Sequence, residues 1–207
     1  FMFRFVVVLL SVLLLSACYT TPEKVRVIGE KIVVKKSAKG DVYYDTLSAT
    51  PPSFCFTNHH GKSICSDDMK GKIWICDFFF THCPSICVKM ERNLLKVNSA
   101  FKDGPHIVSI SIDPARDSAS ALLAYATKLG VANTHWDFLT GEKDSIYHVA
   151  DHFLANAAED PNSPGGFIHD GNFIVVDAKG RIRGFYNGVD EVAVDKMIAD
   201  IKLLQNE

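Results

Sequence analysis

Cys83 and Cys87 stand four positions apart at the end of the segment KIWICDFFFTHCPSIC. Residues 72–80 of this segment are near-continuously apolar, which predicts a central strand buried on both faces. Residues 84–100 carry a helical pattern, so Cys83 is expected at the strand-to-helix turn. Pro84 would then take the first helical position, where its missing N–H costs nothing. Spacing four on a helix places both sulfurs on one face, with Cβ atoms about 5–6 Å apart. A helix N-terminus carries roughly half a positive charge, which is expected to lower the thiol pKa values and favour thiolates. Such a pair can be a disulfide, a redox couple or part of a metal site. The spacing alone is weak; its place after a buried strand gives it weight.

The compartment bears on which of these applies. Arg4 precedes an apolar run at residues 5–15 broken only by Ser11, and then come Leu15, Ser16, Ala17 and Cys18. A membrane-spanning helix needs about 20 apolar residues, so this run reads as a secretory signal. The tetrad L-S-A-C resembles the bacterial lipobox. That resemblance implies removal of residues 1–17 and lipidation of Cys18, which would tether a soluble domain to a membrane in the cell envelope, on the extracytoplasmic or periplasmic side. In such an oxidising environment exposed thiol pairs need an explanation.

The elements that must position the pair follow from periodicity and turn residues. Residues 18–47 read as a tether or arm, with residues 24–36 forming a short strand or an extended segment. Pro51 and Pro52 mark the entry to one folded domain at 48–207. Residues 54–57 and 63–66 read as a hairpin, and 106–112 as a second buried strand. Residues 117–129 read as a helix with acidic capping at its start. A short strand at 136–139 and a helix at 143–153 follow. Residues 173–177 and 181–186 form a terminal hairpin, and 189–204 an amphipathic helix. The alternation predicts an α/β layer fold with a mixed sheet flanked by helices and an N-terminal hairpin.

Composition excludes several function classes. Hydrophobic residues make up 47% of the chain, with 14 Phe, enough for a packed core. The formal net charge is -2, and removal of Arg4 with the signal leaves 21 basic against 24 acidic residues. That balance gives no footing for bulk nucleic-acid binding.

The other cysteines divide by position. Cys76 lies inside the buried strand and reads as a small apolar packing residue. If His59, His60 and Gly61 form a three-residue loop with Gly61 left-handed, residues 58 and 62 close it and Cys55 faces Cys65. Their Cα atoms would then be about 4.5 Å apart, within disulfide reach. Unpaired packing, or a secondary metal site with His59 or His60, remain alternatives.

KIWICDFFFTHCPSIC, then SIDPARDSASALLAYATKLG, HWDFLTG and GGFIHDGNFIVVDAKGRIRGFY, resemble the Sco/SenC family in the same order. The resemblance spans about residues 50–205. It implies a thioredoxin-like fold and a copper site of two thiolates and one distant histidine, carried over to Cys83, Cys87 and His169. Thiolates suit Cu(I), and imidazole extends the site to Cu(II). Asp113 matches an acidic position near the family's metal site. The Pro/Gly-rich loop at 161–166 is expected to move and bring His169 to the thiolates. Val88 departs from the proline that usually follows the second cysteine, and His82 is a candidate extra ligand or a solvated loop residue. The resemblance further implies a metallochaperone that receives the metal from a copper donor and acts on the binuclear copper site of cytochrome c oxidase subunit two. Thiol–disulfide exchange at the same pair is the alternative. A peroxidase is disfavoured, since Asp77 and Phe80 stand where that motif needs Pro and Thr or Ser.

Overall fold

In the computed structural model, residues 24–29, 31–36, 42–47, 49–84, 86–101, 103–131 and 135–207 are described; the predicted signal segment and Cys18 lie outside them. Strands β1 (Lys31–Lys36) and β2 (Val42–Leu47) pair as an antiparallel ribbon where the sequence suggests a tether. The hairpin β3 (Cys55–Asn58) and β4 (Ser63–Cys65) follows. Strands and helices then alternate: β5 (Trp74–Phe79), α1 (Cys87–Ala100), β6 (His106–Ser111), α2 (Ala119–Leu129), β7 (Trp136–Thr140) and α3 (Lys143–His152). A two-stranded strap, β8 (Ala158–Glu159) and β9 (Phe167–Ile168), leads into β10 (Asn172–Val176), β11 (Ile182–Asn187) and α4 (Glu191–Leu204).

Seven strands form one mixed sheet in the order β11-β10-β5-β6-β7-β3-β4. β5, β6 and β7 run parallel, and β10 and β3 join antiparallel on either side. Every residue of β5 is buried, as expected of a strand covered on both faces. Period-two alternation sends Trp74, Cys76 and Phe78 to one core with Ile146, Val149 and Phe153 of α3 and its end. Ile75 and Phe79 face the other core, with Cys87, Met90 and Leu94 of α1, Leu122 of α2 and Val194 and Met197 of α4. Cys76 is fully buried, in keeping with its reading as a packing residue.

At the hairpin, Thr57 faces Ser63, Phe56 faces Ile64 and Cys55 faces Cys65. The Asn58 amide donates to the Lys62 carbonyl at 2.7 Å, and Gly61 has φ of 76°. Cys55 and Cys65 are bridged, with Cα atoms 4.0 Å apart.

Two local expectations need correction. The helix after the cysteine motif begins at Cys87, not at Pro84. Cys83 stays in the connecting turn as expected, its amide donating to the Phe80 carbonyl at 3.2 Å, but Ile86 and not Cys83 is the residue that precedes the helix. At α2 the cap is Ser118, whose hydroxyl accepts from the Ala121 amide, whereas Asp117 is withdrawn from solvent for another purpose.

Candidate metal centre

Three segments converge at the C-terminal end of β5. The first is the turn carrying Cys83. Its shape is set by Asp117, fully buried, which accepts from the Thr81 hydroxyl at 2.5 Å, the Thr81 amide at 3.0 Å and the Ser111 hydroxyl at 2.6 Å. A carboxylate with three donors holds the turn in one conformation. The second is the first residue of α1, Cys87, which is 2% exposed. The third is the link between β9 and β10, which carries His169.

His169 Nε2 lies 3.5 Å from Cys87 Sγ. The ligand atoms of Cys83, Cys87 and His169 all lie within 4.8 Å of one another, and among the described residues no other such group of three or more exists. The remaining ring nitrogen of His169, Nδ1, is buried without a hydrogen-bond partner. Two sulfurs and one nitrogen, half-exposed at Cys83 and His169, make a soft donor set with an open side. That is the chemistry of a site for Cu(I) or Cu(II).

The segment bearing His169 is fastened. Arg116 pairs with Asp113 and donates from Nη2 to the Gly165 carbonyl at 3.0 Å, and its guanidinium lies over the Phe167 ring. Phe167 in turn packs on Phe80, whose ring also meets His169 edge-on with centroids 6.0 Å apart. Gly165 has φ of 82°, and a Cβ there would come within 2.6 Å of Phe80. The bend therefore needs glycine for both backbone and space. The structure thus places His169 at the sulfurs already, where the sequence suggests a loop that must carry it in. Asp113 is 3% exposed and acts on the strap through Arg116.

The electrostatics differ from expectation. The Cys87 thiol is pushed up, first by the hydrogen-bonded Cys83 side chain and then by burial. The partial charge of a helix terminus is outweighed, because two sulfurs in one poorly solvated pocket cannot both ionise. Behind Cys87, Glu91 is raised to about 7, by burial and then by charge on Cys83, and Tyr125 donates to it. Asp77, on the β5 face toward α1, is also raised to about 7, chiefly by burial. The Ser109 hydroxyl donates to Asp77 at 2.5 Å and itself accepts from Trp136 Nε1 at 2.9 Å. This dry surround penalises bare thiolates, a cost that the charge of a bound cation would offset.

His82 is exposed, with Nδ1 2.9 Å from the Thr81 hydroxyl, and does not join the cluster. Sequence reasoning gave Asp117 only a capping role and assigned no site role to Arg116, Glu91 and Asp77. Of these, Asp77 left a legible signal, a carboxylate inside a buried apolar strand.

A profile of the SCO1/SenC family matches residues 44–206. A SCO1 protein homolog of Bacillus subtilis is 30% identical over 167 residues, which is 79% of this chain and 86% of that protein. Among solved structures, a SCO1/SenC family lipoprotein of Bacillus anthracis superposes with a TM-score of 0.71 at 30% identity, covering 77% of this chain and 96% of that one. ScoI of Bradyrhizobium japonicum, solved with copper bound, gives a TM-score of 0.64 at 26% identity over 75% of this chain and 99% of its own. The sheet order, the convergence of Cys83, Cys87 and His169, and a profile match over most of the chain lead to one conclusion: this protein belongs to the SCO1/SenC family and has its thioredoxin-like fold.

Proposed function

We propose that this protein is an extracytoplasmic copper metallochaperone that assists assembly of a copper site in cytochrome c oxidase. Cys83, Cys87 and His169 hold the ion, and Asp113 positions the strap through Arg116. The observation that carries this reading is the convergence of three soft or borderline ligand atoms within 4.8 Å from segments 82 residues apart in sequence. Three ligands leave an open side, which a carrier needs if it is to pass its metal on. The copper is cargo, taken from a donor and delivered to the oxidase, with subunit two as the recipient. Homologues support the assignment: solved Sco relatives carry copper, and one Sco structure at 29% identity describes a member of a family of cytochrome c oxidase assembly proteins.

Attachment through a lipid on Cys18, after removal of residues 1–17, is part of the same proposal. Among the described residues no helix is long and apolar enough to cross a membrane. The domain at 48–207 would then act at the membrane surface on the end of the 18–47 arm.

Thiol–disulfide exchange is the second reading, favoured by the contact between the Cys83 and Cys87 side chains. The nearby imidazole weighs toward metal binding, because dithiol exchange has no need of His169. Cu(I) and Cu(II) affinities measured with and without His169→Ala separate the two. Weakened Cu(II) binding in the variant supports the copper site; unchanged binding removes His169 from it.

A further inference from the structure

Outside the thiolate centre, the chain places two exposed imidazoles side by side on one rigid helix. We propose that His148 and His152 form a second metal site, one that takes a divalent cation of the Cu(II) class at the surface of α3.

Spacing four brings the two residues onto the same stripe one turn apart. Their rings lie with centroids 4.3 Å apart at an interplanar angle of 59°. Both side chains are exposed, while Ile146, Val149 and Ala150 bury the opposite face of the helix in the core. The backbone beneath the pair is therefore fixed by packing, which gives a site better precision than a loop would. The chain continues from α3 into Phe153, which is fully buried and packs against Trp74 and Phe78.

A second observation sets the donor atom of His152. His152 Nδ1 lies 2.9 Å from the His148 carbonyl and donates to it. A carbonyl can only accept, so the proton sits on Nδ1 and the lone pair is left on Nε2. Metal-binding histidines are commonly oriented in this way, by a hydrogen bond from the ring nitrogen that does not bind. Asp144 lies one further turn toward the N-terminus of the helix and lines the same surface cleft as His148.

The ligand class follows from the donors. Two imidazoles lack the sulfur donors that favour Cu(I), and among divalent first-row ions the affinity order places Cu(II) first. Waters would complete the shell. The other close histidine pair does not offer the same geometry. His59 and His60 have ring centroids 4.1 Å apart, but His59 is buried, its Nδ1 accepts from the Phe138 amide and its ring meets the Phe138 ring edge-on. His106 is occupied by Asp137, at 2.8 Å.

The site stands apart from the cysteine centre, so its test removes that centre. Cu(II) is titrated into the full chain carrying Cys83→Ser and Cys87→Ser, and electron paramagnetic resonance reads the ligand nitrogens. The proposal expects one bound equivalent with two imidazole nitrogens, lost in His148→Gln and in His152→Gln and kept in His60→Gln. Absence of a bound equivalent, retention in both α3 variants, or loss in His60→Gln overturns it. Should the double serine chain not fold, the unsubstituted protein preloaded with one equivalent of copper serves instead. A second equivalent of Cu(II) must then broaden the ring resonances of His148 and His152, and unbroadened rings overturn the site.

Discussion

Replacing Asp77 by asparagine should make the protein less stable in acid and more stable above neutral pH. Asp77 is 2% exposed and is held up at about 7 against an ordinary value of 3.8, chiefly by burial, while the Ser109 bond and His169 oppose the rise. The folded state therefore keeps a proton that the unfolded chain has already lost. Stability present below 3.8 is given up as pH climbs toward about 7, and the loss levels off above it. At about 1.4 kcal/mol per pH unit, that interval corresponds to roughly 4 kcal/mol. Asparagine cannot ionise and escapes this loss, but its Nδ2 is left in a buried site, at a cost of about 1–3 kcal/mol. The variant should consequently be weaker by about 1–3 kcal/mol at pH 4 and stronger by a similar amount at pH 8. Urea unfolding of the metal-free proteins at pH 4, 6 and 8 measures the crossover. Glu91 contributes a slope of the same sign in both proteins and largely cancels from the comparison. Parallel pH profiles for the two proteins would refute the argument that Asp77 is buried as an acid.

Three further outcomes follow from the same structure. Replacing Cys55 and Cys65 by serine opens a bridge with sequence separation 10 and should cost about 3 kcal/mol in unfolding free energy; an unchanged urea midpoint would mean the bridge does not form in solution. Arg116→Ala removes the tie from Asp113 to the Gly165 carbonyl. Amides at 160–168 should then exchange faster and copper should bind more weakly, with Arg116→Lys intermediate; protection equal to the parent would contradict the strap's role. Because the Cys87 thiol is raised, metal entry must displace its proton, so apparent copper affinity should fall as pH is lowered from 8 to 6. A competition titration that is flat across this range would contradict the assignment of Cys87 as a thiolate ligand.

Much of the architecture was legible because its signals are local. The apolar run of β5, the period of α1 and the turn at Gly61 each follow from a few consecutive residues, and the Cys55–Cys65 facing followed by counting outward from that turn. Helix onset was misread: Pro84 satisfies the local rule for a first helical position, yet the helix starts only at Cys87. The fastening of the centre was not legible at all. Asp117 reaches Thr81 from 36 residues away and Arg116 reaches Gly165 from 49. Such contacts exist only once β5, β6 and the strap are side by side. The thiol shift was missed for a related reason: a helix terminus is visible in sequence, whereas burial and a neighbouring sulfur depend on the assembled pocket. His169 entered through family resemblance, since nothing in its own neighbourhood distinguishes it from the other histidines.

The central claim is that Cys83, Cys87 and His169 together hold copper. The most direct measurement is the absorption spectrum of the Cu(II)-loaded protein beside its single variants. The account predicts a thiolate-to-Cu(II) charge-transfer band that is lost in Cys83→Ala and in Cys87→Ala, and that is shifted in His169→Ala. A band of the same position and intensity in Cys83→Ala would contradict it.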